Sequence, residues 1–118
     1  MTVESNIYDA VKGLVANRVF PDVAPSGTAL PYITYQQVGG DAPTFLERSV
    51  VPKKNGSFQL NVWATTRAEA ATLILAIEAA LITATTFQAV PRAAPIAGYA
   101  EEPATYGYLQ QFSIWSDR

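Results

Sequence analysis

The sequence contains no cysteine and no histidine among its 118 residues. Without cysteine the chain can form no disulfide, no thiolate metal site and no cysteine nucleophile. Without histidine it cannot use Ser-His-Asp catalysis, imidazole ligation of zinc, or the side chain that most often titrates near neutral pH. The functions left open are carboxylate catalysis, small-ligand binding and assembly with other proteins, and the last is the one that we favour.

Charge is also scarce, at 15% of the residues, and eight Lys and Arg against ten Asp and Glu leave a net charge of −2. This balance argues against a dedicated nucleic-acid binder, which needs basic surface to neutralise phosphates. The longest apolar run, residues 70–82, is interrupted by Glu78 and is shorter than the roughly 20 residues of a membrane-spanning helix. Because 49% of the residues are hydrophobic, we expect residues 1–118 to fold as one domain around a core.

Hydrophobic periodicity predicts two helices. Apolar residues three and four positions apart predict the first over residues 4–17, capped by Thr2 or Ser5 and ended near Asn17. The second follows the capping box of residues 66–69 (TRAE) and continues through residue 81. Its core stripe is predicted to be Ala70, Leu73, Ile74, Ile77 and Leu81.

The second helix also carries Leu75 and Ile82, one heptad apart and outside its core stripe. We expect these two side chains to pack against the first helix. The second helix would then be buried on more than one side.

Strands are predicted from β-branched and aromatic residues bounded by glycine and proline. Residues 20–31, with three prolines, are expected to form an extended connection, and residues 94–104 a loop. The pair Asn55-Gly56 favours a hairpin turn over residues 52–56. The predicted strands are residues 32–38, 45–51, 58–63, 85–90 and 106–116. This order predicts an α+β fold with both helices on one face of a mainly antiparallel sheet of about five strands.

Few residues suggest chemistry. Glu101 and Glu102 are adjacent in a proline-flanked segment, so their carboxylates are expected to point apart and remain solvated. Gly39-Gly40 lacks the following helix that would complete a phosphate-binding loop. Lys53 and Lys54, at the predicted hairpin tip, are fewer than a DNA-binding patch needs. We therefore expect no enzyme activity, no metal and no cofactor.

The sheet positions that would face away from the helices give another signal. They are Gln59, Asn61, Trp63, Gln111, Ser113 and Trp115, joined by Thr34 or Gln36. Depletion of charge together with tryptophan is typical of the centre of a protein interface. The alternative is an ordinary sheet surface on which the tryptophans cover loops or a sheet edge, and the sequence favours neither interpretation.

Several segments resemble the tail completion proteins of long-tailed bacteriophages and prophages, also called tail terminators or head-to-tail joining proteins. Residues 18–25 (RVFPDVAP) and 30–36 (LPYITYQ) resemble the front half of these proteins. Residues 59–64 (QLNVWA), followed by the helix, resemble their centre, and residues 108–115 (YLQQFSIW) resemble their closing strand.

The resemblance implies a structural subunit without catalysis or cofactor. It would form a ring, typically a hexamer, on the head-proximal end of the tail tube, stop tube polymerisation and join the tail to the head. Its partners would be further copies of itself, the tail tube protein and head connector or neck proteins, with DNA only passing through the ring and no membrane involved. It would reside in the tail-neck region of the virion, and in the bacterial host cytoplasm during assembly.

Contacts with these partners are expected on the sheet positions named above and, second, at Phe45, Lys53 and Lys54. One alternative is another neck or connector component, which would bind the portal side. The other is a small enzyme or ligand-binding module that uses Glu47, Glu101 or Glu102. It would require an enclosed pocket and an acid whose pKa is raised by burial.

Overall fold

The computed structural model describes residues 2–41, 52–101 and 104–117. These residues contain two α-helices and six strands. A single 3₁₀ turn, Lys12–Leu14, follows the first helix. The elements are α1 (Val3–Val11), β1 (Val19–Pro21), β2 (Tyr32–Gly39), β3 (Lys53–Ala64), α2 (Arg67–Thr83), β4 (Gln88–Pro91), β5 (Ile96–Glu101) and β6 (Ala104–Asp117).

The six strands form one mixed sheet in the order β1-β2-β3-β6-β4, and β5 pairs with β6 beside β4. β1 runs parallel to β2, and the other pairs are antiparallel. The longest pairing joins β3 to β6, from Lys53 opposite Asp117 to Ala64 opposite Tyr106. The predicted mainly antiparallel sheet is confirmed, with β1 and β5 as strands that the sequence analysis missed.

Both helices pack on the same face of this sheet, as predicted. Phe58 lies opposite Phe112 and Ile33 opposite Val62, so their side chains project from one side of the sheet. On that side they join a single buried cluster with residues of both helices. The helical members are Val3, Ile7, Val11, Ile74, Ile77 and Leu81. The α+β architecture is therefore confirmed.

The first helix is shorter than predicted. Thr2 caps it by accepting a hydrogen bond from the Ser5 N–H at 3.1 Å. The regular helix ends at Val11 instead of residue 17, because Ala16 and Asn17 adopt left-handed backbone angles, with φ of 51° and 67°. Asn17 therefore marks the end of this segment, as expected, but the turn before it is 3₁₀.

The second helix begins as the capping box predicts. The Thr66 hydroxyl accepts a hydrogen bond from the Glu69 N–H at 3.1 Å. The Glu69 carboxylate accepts a hydrogen bond from the N–H of Thr65 at 3.3 Å, so it satisfies the backbone donor of the residue before the cap. Arg67 then donates from its guanidinium to the carbonyls of Gly107 and Gly98, at 2.7 Å and 2.8 Å. These bonds fix the start of α2 to β5 and β6.

The expected contact of Leu75 and Ile82 with the first helix is wrong. Their exposed fractions are 61% and 49%. The core stripe of α2 belongs to one buried cluster with α1 and the sheet, so the same stripe packs against both. The opposite side of α2 is therefore left open.

The expected hairpin turn at residues 52–56 is also wrong. Asn55 and Gly56 lie within β3, opposite Trp115 and Ile114 of β6. Gly56 is needed for packing, because a Cβ there would lie 2.6 Å from the ring of Phe58. The predicted strand over residues 45–51 lies outside the described residues.

The expected loop over residues 94–104 contains strand β5 instead. Gly98 pairs with Gly107, and Tyr99 pairs with Tyr106 at a ring-centroid distance of 5.1 Å. The glycine pair weakens the alternating pattern that identifies a strand in the sequence. Packing of the Tyr99 ring on the Tyr106 ring stabilises the pairing of β5 with β6.

Gly107→Ala is expected to lower the free energy of unfolding by about 1–3 kcal/mol, the usual cost of overpacking. Its Cβ would lie 2.7 Å from the Val62 carbonyl oxygen and 2.8 Å from the Trp63 ring. Urea denaturation measures the change. Gly13→Ala is the control, because nothing lies within 4 Å of a Cβ at that position. Equal stability of the two variants would contradict the close packing of β3 on β6.

Candidate protein interface

Uncharged polar side chains occupy the side of the sheet opposite the helices. Gln36, Gln59 and Gln111 lie in one row across β2, β3 and β6. With strands about 4.8 Å apart, this row spans about 10 Å. We call this surface the sheet face and define it as Thr34, Gln36, Ser57, Gln59, Asn61, Trp63, Gln111, Ser113 and Trp115.

Some of the polar groups of the sheet face bond to neighbouring side chains. The Gln59 amide donates to the Asn61 side-chain oxygen at 3.1 Å, and the Asn61 amide donates to the Thr34 hydroxyl at 3.2 Å. The Asn55 amide donates to the Ser113 hydroxyl at 2.9 Å. Covering polar groups costs less free energy when they already have partners. The sheet face is therefore suited to contact with another protein.

Charged residues stand only at the rim of the central strands. β2 has none, β3 has none after Lys54, and β6 has none before Asp117. Among the described residues, the rim charges are Arg92, which donates to the Ser57 hydroxyl at 3.4 Å, Asp41, which lies beside Arg92, and the ion pair of Lys53 with Asp117. The structure thus brings the six predicted strand positions together on one surface.

Trp63 is held against its own subunit. A Cβ at Gly107 would lie 2.8 Å from its indole ring, and a Cβ at Gly98 would lie 3.7 Å from it. The indole therefore lies across β6 and β5 and is half-buried. This tryptophan supports the sheet as well as contributing to the sheet face.

Trp115 lines an open cleft of about 520 Å³ at the other end of the sheet face. The side chain is half-buried. The cleft also contains Lys53 and Asp117. Its remaining walls are Thr85, Thr86, Phe87, Gln88 and Ser116. At this end the sheet face therefore continues into a cleft, where Trp115 lies near the ion pair of Lys53 with Asp117.

The two lysines are separated rather than paired at a hairpin tip. Lys53 lies opposite Asp117 on the side of the sheet face, while Lys54, one residue on, lies opposite Ser116 and points to the helix side. Only Lys53 adjoins the sheet face. Phe45, the other predicted contact, lies outside the described residues.

Three members of this region escaped the sequence analysis: Asn55, Ser57 and Arg92. The first two were assigned to a turn or its flank, although the alternation of Gln59 and Asn61 continues back through them. Arg92 follows the short strand β4, and its backbone N–H donates to the Gln111 carbonyl at 2.9 Å. No sequence signal distinguishes it from an ordinary surface cation.

The carboxylates of the enzyme alternative fall largely outside the structure. Glu47 and Glu102 lie outside the described residues, and Glu101 is the last residue of β5. Among residues 2–41, 52–101 and 104–117, no three acidic side chains lie close enough together to hold a metal ion. In the same part of the chain, no helix has the length and apolarity needed to cross a membrane.

A comparison with protein families decides which class of protein carries this surface. The family model of the tail completion protein gp17 matches residues 8–117. The chain belongs to this family. The match includes every strand and all of α2, and the sheet face lies within it. None of the curated proteins compared with the chain matches it.

Membership of the tail completion family makes the chain a structural component of a bacteriophage tail, and therefore of the virion. The family is structural rather than enzymatic. Its members work with other tail components during assembly. The predicted resemblance is confirmed.

Lys53→Met is expected to raise the pKa of Asp117 toward its ordinary value. The Lys53 ammonium donates to the Asp117 carboxylate and, with its charge, holds that pKa below the usual range. The stabilisation from this pair is therefore complete above the ordinary carboxyl pKa and is lost as pH falls through the lowered pKa of Asp117. An NMR titration of the Asp117 carboxyl carbon measures the change. Lys54→Met is the control, and an equal shift in that variant would contradict the register of β3 with β6.

Proposed function

We propose that residues 1–118 act as one tail-completion domain. Copies of this domain form a ring, which we propose to be a hexamer, on the head-proximal end of the tail tube. The ring stops tube polymerisation and joins the tail to the head. The observation that carries this proposal is the sheet face, a surface without central charge in a chain of the tail completion family. Charge depletion with tryptophan characterises the centre of protein interfaces.

A ring requires two different surfaces on each subunit, because every copy meets its neighbours through heterologous contacts. In this proposal the sheet face is one of the two. The ends of the ring are left to the tail tube protein and to the head connector or neck proteins. DNA passes through the ring without being held, since a net charge of −2 offers few cations to neutralise phosphates.

Assembly takes place in the bacterial host cytoplasm, and the finished ring resides at the tail-neck junction of the virion. The subunit needs no cofactor for this role, because capping and joining require only contacts between proteins. Each subunit after the first can bind both the tube end and its bound neighbour, so that two contacts act together.

Deletion of the gene from the source phage or prophage is expected to leave filled heads beside unjoined tails, some of abnormal length. The tube would lack its stop, and the connector would lack its docking surface. Electron microscopy of lysates shows both effects, and the intact gene supplied in trans is the control. Intact virions with tails of normal length would contradict the proposal. Tails of normal length without heads would instead assign the subunit to joining alone.

Gln111→Glu is expected to reduce the number of subunits deposited on isolated tubes at least 10-fold, because burying a carboxylate in the sheet face costs free energy that the nearby Arg92 only partly offsets. Quantitative gel analysis of tubes sedimented with excess subunit measures the deposition. Gln37→Glu is the matched control, since Gln37 lies opposite Phe58 and projects to the helix side of the sheet. Normal deposition of the Gln111 variant would exclude the sheet face as a contact surface.

A further inference from the structure

The outer side of α2 carries no charge, although it is open to solvent. We call it the helix face and define it as Ala68, Thr72, Leu75, Ala79 and Ile82, all exposed. The spacings of four and three residues place these side chains in one stripe along the helix. A solvated helix side is normally rich in charged residues. This one presents two large aliphatic side chains among small ones.

The three charged residues of α2 are all engaged within the subunit. Arg67 donates to backbone carbonyls of β5 and β6, and Glu69 accepts from the N–H of Thr65. Glu78 accepts a hydrogen bond from the Gln110 amide at 2.7 Å. None of these charges belongs to the helix face. The helix face can therefore be covered without burying an ion.

The hydroxyl groups on this side are also satisfied. Thr72 donates to the Ala68 carbonyl at 3.0 Å, and Thr83 donates to the Ala79 carbonyl at 2.8 Å. Each hydroxyl is bonded back to its own helix, so removing water from it leaves no unpaired donor. Like the sheet face, the helix face is suited to losing its water.

We propose that the helix face of each subunit docks on the sheet face of its neighbour. The inference deepens the proposed ring and depends on it. The core stripe of α2 packs on one side of the sheet, and the sheet face is the other side. The helix face and the sheet face therefore lie on opposite sides of the subunit. Two different surfaces allow head-to-tail repetition, and this contact gives a ring when the rotation between successive copies closes.

Size and charge favour a second copy of this chain as the occupant. The stripe from Ala68 to Ile82 is about 21 Å long. The sheet face extends about 27 Å along β3, from the level of Trp115 to Trp63, so the stripe fits along it. α2 has no basic residue in its last turn, and the rim of the sheet face carries Arg92 with Asp41 beside it. The negative end of the helix and this cation are complementary.

Cross-linking tests the contact directly, because the chain has no cysteine of its own. The variant carrying Leu75→Cys and Gln111→Cys is bound to isolated tubes and treated with a short bis-maleimide. We expect a ladder of cross-linked species that extends to the full ring. A mixture of the two single variants should stop at dimers, and neither single variant alone should cross-link.

Matched controls separate this inference from the proposed function. Val23 is 77% exposed and lies outside both faces, so Val23→Cys with Gln111→Cys should give no ladder. If the double variant of Leu75 and Gln111 caps tubes without a ladder, the helix-to-sheet contact is wrong and the capping function stands. If the unmodified subunit does not bind tubes, the proposed function itself fails. Cross-linking of the Leu75→Cys variant to itself would show a two-fold contact and overturn the inference.

Charge substitution gives a second readout. The variant with Leu75→Glu and Ile82→Glu should deposit at least 10-fold less on tubes, since both side chains would be covered by the neighbour. Its folding should be unchanged, because both positions are exposed in the subunit. Val23→Glu should deposit normally. Normal deposition of the helix variant would exclude the helix face as a contact.

Discussion

The pairing of β3 with β6 is the constraint on which the rest of the subunit depends. It is continuous from Lys53 opposite Asp117 to Ala64 opposite Tyr106. Since alternate side chains of a strand point to opposite sides, this single register assigns every residue of both strands either to the helix side or to the opposite side of the sheet. A slip of one residue would bury Gln59 and expose Leu60. The residues that must be buried against the helices therefore determine which residues lie on the opposite side of the sheet.

The same constraint explains why the subunit has two surfaces suited to assembly. Both helices cover one side of the sheet, and no helix among the described residues covers the other side. α2 in turn has a core stripe and an outer stripe, and its charges are used for internal bonds. In a solitary protein both outer surfaces would be expected to carry charge. For a tail completion protein, their lack of charge is consistent with repeated contact between copies.

The elements predicted well from the sequence are those with a strong local pattern. The capping box and stripe of α2, the alternation of residues 58–63 and the closing strand all follow side-chain periodicity. The errors have a different origin. Asn55-Gly56 favours a turn locally, but β6 supplies partners for it that lie far along the chain. Gly98 and Gly107 likewise obscure β5. Leu75 and Ile82 were assigned to the interior because hydrophobicity alone does not distinguish a subunit core from an interface. The outward side of the sheet was predictable, whereas the contribution of Arg92 depended on tertiary structure.

A reconstruction of the tail-neck junction by cryo-electron microscopy, at a resolution that shows side chains, tests the central claim most directly. The account predicts a ring of this subunit at the head-proximal end of the tube, with each sheet face covered by α2 of a neighbouring copy. Leu75 and Ile82 should lie against the row of Gln36, Gln59 and Gln111. A ring in which the sheet face lines the channel or meets solvent, with α2 uncovered, would contradict it.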